Sequence, residues 1–91
     1  MQSYLIERNF GHVTPEQLAA GGSASKAIAA ERYADTIIWR QSHASESSEG
    51  LKTHCLYEAA DEATIRSHAE EAGLPCDKIT PVNVVGPDDF D

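Results

Sequence analysis

The segment TIIWRQSHASESSEGLKTHCLYE, residues 36–58, decides the fold. Residues 36–43 and 51–58 both have the composition of strands, and the polar run 44–50 between them ends in glycine. Two strand-like segments joined by a short polar connection are typical of an antiparallel hairpin. The segment therefore predicts two neighbouring strands in one sheet.

The chain before the hairpin predicts one further strand and one helix. Residues 3–9 alternate in polarity like a strand. The run TPEQ, 14–17, has the form of a capping box with proline at the first helical position, so it predicts a helix that extends to about residues 30–33. The glycine pair 21–22 inside this helix indicates either a kink or the close approach of another backbone.

The chain after the hairpin predicts a second helix and a last strand. Asp61 has the position of a helix N-cap, Gly73 that of the residue after the helix end, and Pro75 prevents continuation. Residues 78–85 predict a strand. Pro81 lacks an amide hydrogen, which places this strand at the edge of the sheet or at a bulge.

The predicted order, strand-helix-strand-strand-helix-strand, is that of a ferredoxin-like α+β fold. We expect one domain over residues 1–91, with an ordered core at about 3–85 and a loose acidic tail at 86–91. Both helices should cover one face of a four-stranded antiparallel sheet. The other face, called the open face below, must be polar, covered by a partner or used as a pocket.

The composition limits the range of partners. The chain has 91 residues and a formal net charge of −8, which disfavours nucleic acid and anionic membrane surfaces. No segment is apolar over the ~20 residues that a membrane span requires, and the first residues lack the pattern of a signal peptide. We therefore expect a cytoplasmic protein whose two cysteines, Cys55 and Cys76, are not bonded to each other. A domain of this size has a thin core, which favours a homodimer.

The hairpin carries two histidines that are candidate metal ligands. A four-residue connection at 47–50 places His43 directly opposite His54 on one face, where two imidazoles can share a metal ion. A three-residue connection with a glycine bulge instead pairs His43 with Cys55 and turns His54 away. The first register also places Trp39 and Leu56 on the face of the histidine pair, which favours dimer contact through that face.

The second helix carries a further candidate, His68. It falls within the apolar arc of the helix, either as a histidine at the edge of the core or as a ligand that points into a shared cavity. The sequence has no glycine-rich phosphate loop, no nucleophile elbow and no zinc-type spacing of cysteine and histidine.

Several segments resemble a family of small bacterial ferredoxin-like domains of unknown function, whose characterised member is a dimeric nickel-binding protein. The similarity spans about residues 3–85, and its most specific part is AGLPCDKI, 72–79; the other matching segments are YLIER, 4–8, KTHCLY, 52–57, and DEATIRSHA, 61–69. The resemblance implies this fold, a dimer and nickel.

Individual positions carry the resemblance unevenly. His68 stands where the family often has histidine, and Cys55 matches the usual cysteine of the third strand. Gln41 stands where many members have histidine, and Leu74 replaces a histidine associated with the nickel binder. His43 and His54 occupy positions that are commonly aromatic, so a metal site in this chain would be partly its own.

These observations predict a small metal-binding protein that sequesters or senses a divalent transition ion such as nickel or zinc, with candidate ligands His43, His54 and His68. One alternative is a small dimeric α/β-barrel enzyme of the monooxygenase-like or isomerase type, with Trp39 and the three histidines lining a pocket on the open face. Another is a structural or interaction module. No organic cofactor is predicted.

Overall fold

The computed structural model describes all 91 residues and confirms the predicted order of elements. The strands are β1 (Gln2–Gly11), β2 (Ile37–Ser47), β3 (Gly50–Ala59) and β4 (Lys78–Val82), and the helices are α1 (Pro15–Arg32) and α2 (Glu62–Ala72). A short 3-10 helix, Pro87–Asp89, lies in the tail that the sequence predicted to be loose. The last strand also ends three residues earlier than predicted.

The four strands form one antiparallel sheet in the order β2-β3-β1-β4. This is the ferredoxin-like arrangement, because each helix connects two strands that do not lie side by side in the sheet. Pro81 lies in β4, an edge strand, one of the positions in a sheet where proline is tolerated.

The helix ends follow the local signals of the sequence. The Thr14 hydroxyl accepts a hydrogen bond from the Gln17 amide (3.1 Å), and the Gln17 side chain accepts one from the Thr14 amide (2.8 Å). At the start of α2, the Asp61 carboxylate accepts from the Thr64 amide at 2.8 Å. Gly73 ends α2 with φ +68, a left-handed conformation that a residue without Cβ adopts at no steric cost.

The core lies between the sheet and the helices, and β3 shows its orientation most clearly. Alternate residues of β3 are buried and face the helices. The core cluster joins them to residues of β1, β2 and α2: Ile6, Ile37, Cys55, Tyr57, Ala59 and Ile65. Both cysteines are free thiols, Cys55 buried and Cys76 half-buried. No helix has the length and apolarity needed to cross a membrane.

The hairpin closes more tightly than the sequence predicted, but in the first of the two predicted registers. Ser47 pairs with Gly50, so only residues 48 and 49 form the turn. Gly50 has φ +108, and a Cβ there would collide with the backbone of Gly11 in β1. The close approach of these two backbones is therefore the reason that position 50 requires glycine.

A bulge in β2 changes the position of Trp39. The register with β3 shifts between Trp39 and Gln41, so residues before and after Arg40 follow opposite alternation. Trp39 is paired with the buried Tyr57 and packs on it with ring centroids 6.5 Å apart. The prediction that Trp39 shares the face of the histidines is therefore wrong, and Trp39 and Leu56 do not form one surface for dimer contact.

The glycine pair of α1 does not interrupt the helix, which is continuous from Pro15 to Arg32. A Cβ on Gly21 would lie 3.7 Å from Leu74, whereas a Cβ on Gly22 would meet no atom within 4 Å. Only Ser25 is buried along the whole of α1. The helix therefore packs loosely over the sheet, with open space beside Gly22.

Candidate functional site

The open face carries a histidine pair at the centre of the hairpin. His43 of β2 and His54 of β3 are direct register partners. Directly opposed residues of an antiparallel pair have Cβ atoms about 4.5–5.5 Å apart and project to the same side. His43 is exposed and His54 half-buried, so solvent reaches both imidazoles. This geometry gives two nitrogen donors within reach of one ion.

Gln41 extends this pair along β2. The bulge at Arg40 places Gln41 opposite Leu56 on the open face, and its side-chain amide donates a hydrogen bond to Nε2 of His43 at 3.1 Å. Nε2 of His43 thus carries a lone pair that accepts a hydrogen bond. The same lone pair is the one that a metal ion would need.

A carboxylate lies on the other side of the pair. Glu7 of β1 is the register partner of His54, so His43, His54 and Glu7 form one row across three strands of the open face. Lys52 donates to the Glu7 carboxylate at 2.9 Å, and this bond, with the charge of Lys52, lowers the pKa of Glu7; His54 and Lys78 add smaller effects in the same direction. The Glu7 carboxylate is therefore ionised, but it is already paired with Lys52.

Glu7 was not predicted from the sequence as a site residue. Alternation along residues 3–9 puts Glu7 on the face opposite Ile6 and Arg8, but alternation alone does not say which strand lies beside it. The order of strands supplies that information, because β1 is the central neighbour of β3. In a ferredoxin-like sheet the first strand lies beside the third, and this was the usable signal.

His68 lies on the helix side of the sheet, away from the histidine pair. It is fully buried, its Nε2 donates to the Ser25 carbonyl of α1 at 3.0 Å, and its ring meets that of Tyr33 edge-on at a centroid distance of 5.5 Å. Its Nδ1 has no hydrogen-bond partner. Because the sheet separates it from His43 and His54, the three predicted ligands do not meet at one ion in this arrangement.

The predicted enzyme pocket is likewise divided by the sheet. Trp39 lines an apolar cleft between α1 and the sheet, whereas His43 and His54 occupy the opposite face. The cleft contains none of the four histidines. A single pocket lined by Trp39 and the three predicted histidines is therefore absent from the fold.

The residues of the open face fit a divalent transition ion in part. Imidazole nitrogen is a common ligand of nickel, zinc and copper, and the pair supplies two such donors. No group of three or more histidine, cysteine, aspartate or glutamate side chains is arranged to hold an ion. Further ligands would therefore come from water or from a second molecule.

Comparison with known proteins gives the family of this chain. The profile described as "Nickel responsive protein SCO4226-like" matches residues 4–82. The chain belongs to the SCO4226-like family. This confirms the resemblance found in the sequence and connects the chain with nickel responsiveness at the level of the family.

A solved structure supports the fold of this SCO4226-like protein. The crystal structure of SCO4226 from Streptomyces coelicolor A3(2) matches it with a TM-score of 0.74 and 21% sequence identity, over 92% of this chain and 99% of that one. Comparison with curated proteins gives no match. At this identity the structural similarity establishes the ferredoxin-like fold and leaves the site to the residues of this chain.

Proposed function

We propose that this chain binds a divalent transition ion of the nickel or zinc type through His43 and His54, and that it sequesters or senses the ion without catalysing a reaction. The observation that carries the proposal is the direct register pairing of the two imidazoles on a solvent-accessible face. Membership of a nickel responsive family favours nickel over the other ions that imidazole binds.

The chain's own residues would act in three ways. His43 and His54 donate nitrogen lone pairs, and the Gln41 amide, which donates to Nε2 of His43, would give up that bond when Nε2 binds the ion. Glu7 contributes negative charge beside His54, although its bond to Lys52 opposes direct coordination. The net charge of −8 attracts cations to the whole molecule.

The experiment that tests this proposal is metal analysis of protein purified without a polyhistidine tag and exposed to equimolar nickel, zinc or buffer. We expect about one ion per chain, or one per two chains, after desalting. Because protons compete with metal ions for imidazole, retention should fall when the buffer is lowered from about pH 7.5 to about pH 5.5. Retention that does not depend on pH, or none at all, would contradict the proposal.

We also propose a homodimer through the open face. With Trp39 on the helix side, the support comes from Leu5 and Leu56, which are register partners on the open face and only half-buried in the single chain. A second copy covering them would also bring further ligands near the histidine pair. The variant Leu56→Glu should be monomeric by sedimentation at tens of micromolar, while Ala24→Glu, on the exposed side of α1 and away from the open face, should remain dimeric. A monomeric parent protein would contradict this.

A further inference from the structure

The helix side of the sheet contains a cleft that the proposed metal site does not use. It has a volume of about 250 Å³ and lies between α1 and strands β1, β2 and β3. Its walls are mostly apolar, with aromatic rings from Phe10, Trp39 and Tyr57. At about 30 Å³ for each water in the liquid, such a volume takes roughly eight to twelve non-hydrogen atoms.

Arg8 of β1 lines this cleft and is 1% exposed. Its Nη1 donates to the Pro75 carbonyl at 2.8 Å, its Nη2 lies 3.5 Å from the Tyr57 hydroxyl, and its guanidinium carbon is 5.6 Å from the centre of the Tyr57 ring. None of these partners carries a negative charge. The four ion pairs of the chain use Arg32, Arg40, Lys52 and Arg66, and none uses Arg8.

A buried arginine without an acidic partner is unusual, because arginine keeps its proton and a buried charge is costly unless it is paired. In a chain with fifteen acidic and seven basic residues, acidic partners are abundant, yet none reaches this one. A carboxylate entering the cleft would supply the missing negative charge, and the planar guanidinium binds carboxylates especially well.

Gly22 keeps the cleft open. It lines the cleft from α1, where a helical glycine costs roughly 1 kcal/mol relative to alanine. A Cβ at this position would meet no atom within 4 Å, so the glycine is not required by close packing. Its absent side chain instead leaves space for an occupant.

We propose that the cleft binds a small molecule with an apolar, preferably aromatic, body and a single carboxylate, and that Arg8 neutralises the carboxylate. The aromatic side chains of the cleft would contact the apolar body of the ligand, and Thr53 and Ser42 add hydroxyl groups to the lining. A phosphate ester fits less well, because its second charge would remain unneutralised beside one guanidinium. This site is independent of the histidine pair, which lies across the sheet.

The test uses phenylacetate and octanoate as probes, each with its uncharged amide as a matched control. Trp39 is the only tryptophan of the chain and lines the cleft, so its fluorescence reports occupancy directly. We expect at least one acid to give a saturable change with a Kd of about 1 mM or tighter, the range accessible to ligands of this size. Its amide should bind about 10-fold more weakly or worse.

Two variants assign the response to the cleft. Gly22→Leu fills the open space with a residue that favours the helix, and it should abolish the response, whereas Ala24→Leu on the exposed side of α1 should leave it unchanged. Arg8→Met should reduce the affinity for the acid to that for the amide. If Arg8→Met does not fold, the acid–amide comparison on the parent protein decides the role of charge.

Three outcomes would overturn the proposal. The first is the absence of a saturable response to either acid up to about 10 mM, a concentration well above the expected Kd. The second is equal binding of acid and amide, or binding that survives Gly22→Leu. The third is competition by a second copy of the chain, seen as weaker acid binding when the protein concentration and the dimer fraction rise together. That result would assign the cleft to a carboxylate of the partner.

Discussion

His43 of β2 lies directly opposite His54 of β3, and the Gln41 amide donates a hydrogen bond to Nε2 of His43 at 3.1 Å. The pairing depends on a two-residue turn that fixes the register of the hairpin. A slip of one residue would send one imidazole to the helix side, because neighbouring strand residues project to opposite faces. The geometry of the turn therefore decides whether the two donors can share an ion.

The bond between Glu7 and Lys52 predicts how stability depends on pH. Lys52 lowers the pKa of Glu7 below its ordinary value of 4.5, and Glu7 raises the pKa of Lys52 above 10.5. The unfolded chain therefore binds more protons at Glu7 near pH 4, and the stabilisation is lost as pH falls through the lowered pKa of Glu7. At high pH it is lost as Lys52 deprotonates above its raised pKa.

The variant Glu7→Gln tests this. It should be less stable than the parent in urea at about pH 7, and the difference should shrink progressively as the pH is lowered through the depressed pKa of Glu7, where the parent loses the ion pair. Glu62→Gln breaks an exposed pair within α2 and serves as the control, with a small effect at neutral and at acidic pH. A difference between Glu7→Gln and the parent that does not change with pH would refute the prediction.

His68 is expected to contribute to stability and not to the binding of metal at the open face. Replacing it by alanine removes a fully buried ring and its bond to the Ser25 carbonyl. We expect a loss of about 2–4 kcal/mol in the free energy of unfolding, from the lost packing and the lost hydrogen bond. Metal affinity per folded molecule, measured under conditions where the variant is folded, should equal that of the parent.

A tenfold loss of metal affinity in folded His68→Ala would show that the helix side takes part in the site. His12→Ala changes an exposed loop histidine and is the matched control for removing one imidazole from the chain. It should alter neither stability nor affinity.

The capping box of α1 gives a prediction about the loosely packed helix. Thr14→Ala removes the hydroxyl that accepts from the Gln17 amide, and should cost about 1 kcal/mol in the free energy of unfolding. Thr14→Ser keeps the acceptor and should cost much less. Since α1 has only one buried residue, little packing holds its first turns in place. Loss of the cap in Thr14→Ala should therefore also reduce the local order of α1, seen as faster amide exchange in its first turns than in Thr14→Ser. Equal exchange in the two variants would contradict this role.

The register of the hairpin could be predicted from sequence because loop length and a glycine restrict it to two alternatives. The position of Trp39 could not be obtained from the same register. Continuing that pairing toward Ile37 would have placed two large apolar side chains on the open face. The bulge at Arg40 resolves this conflict, since it keeps the histidine pair exposed while Ile37 is buried and Trp39 packs on Tyr57.

The helix side of the molecule was the least predictable from sequence. The alternation of β1 places Arg8 beside Ile6, yet it does not show that the guanidinium is buried without a carboxylate. The glycine pair of α1 left a kink and a close approach as alternatives, whereas the structure has a continuous helix beside a cleft. The burial of Arg8 and the cleft both depend on how far α1 lies from the sheet. The weak apolar pattern of α1 does not specify that distance.

The most direct test of the central claim is calorimetric titration of untagged protein with nickel and with zinc. We expect binding tighter than roughly 100 μM for at least one ion, loss of most of that affinity in His54→Ala and in His43→Ala, and parental affinity in His12→Ala. Binding of neither ion at that level, or unchanged binding by His54→Ala, would show that the two imidazoles of the open face do not form a metal site.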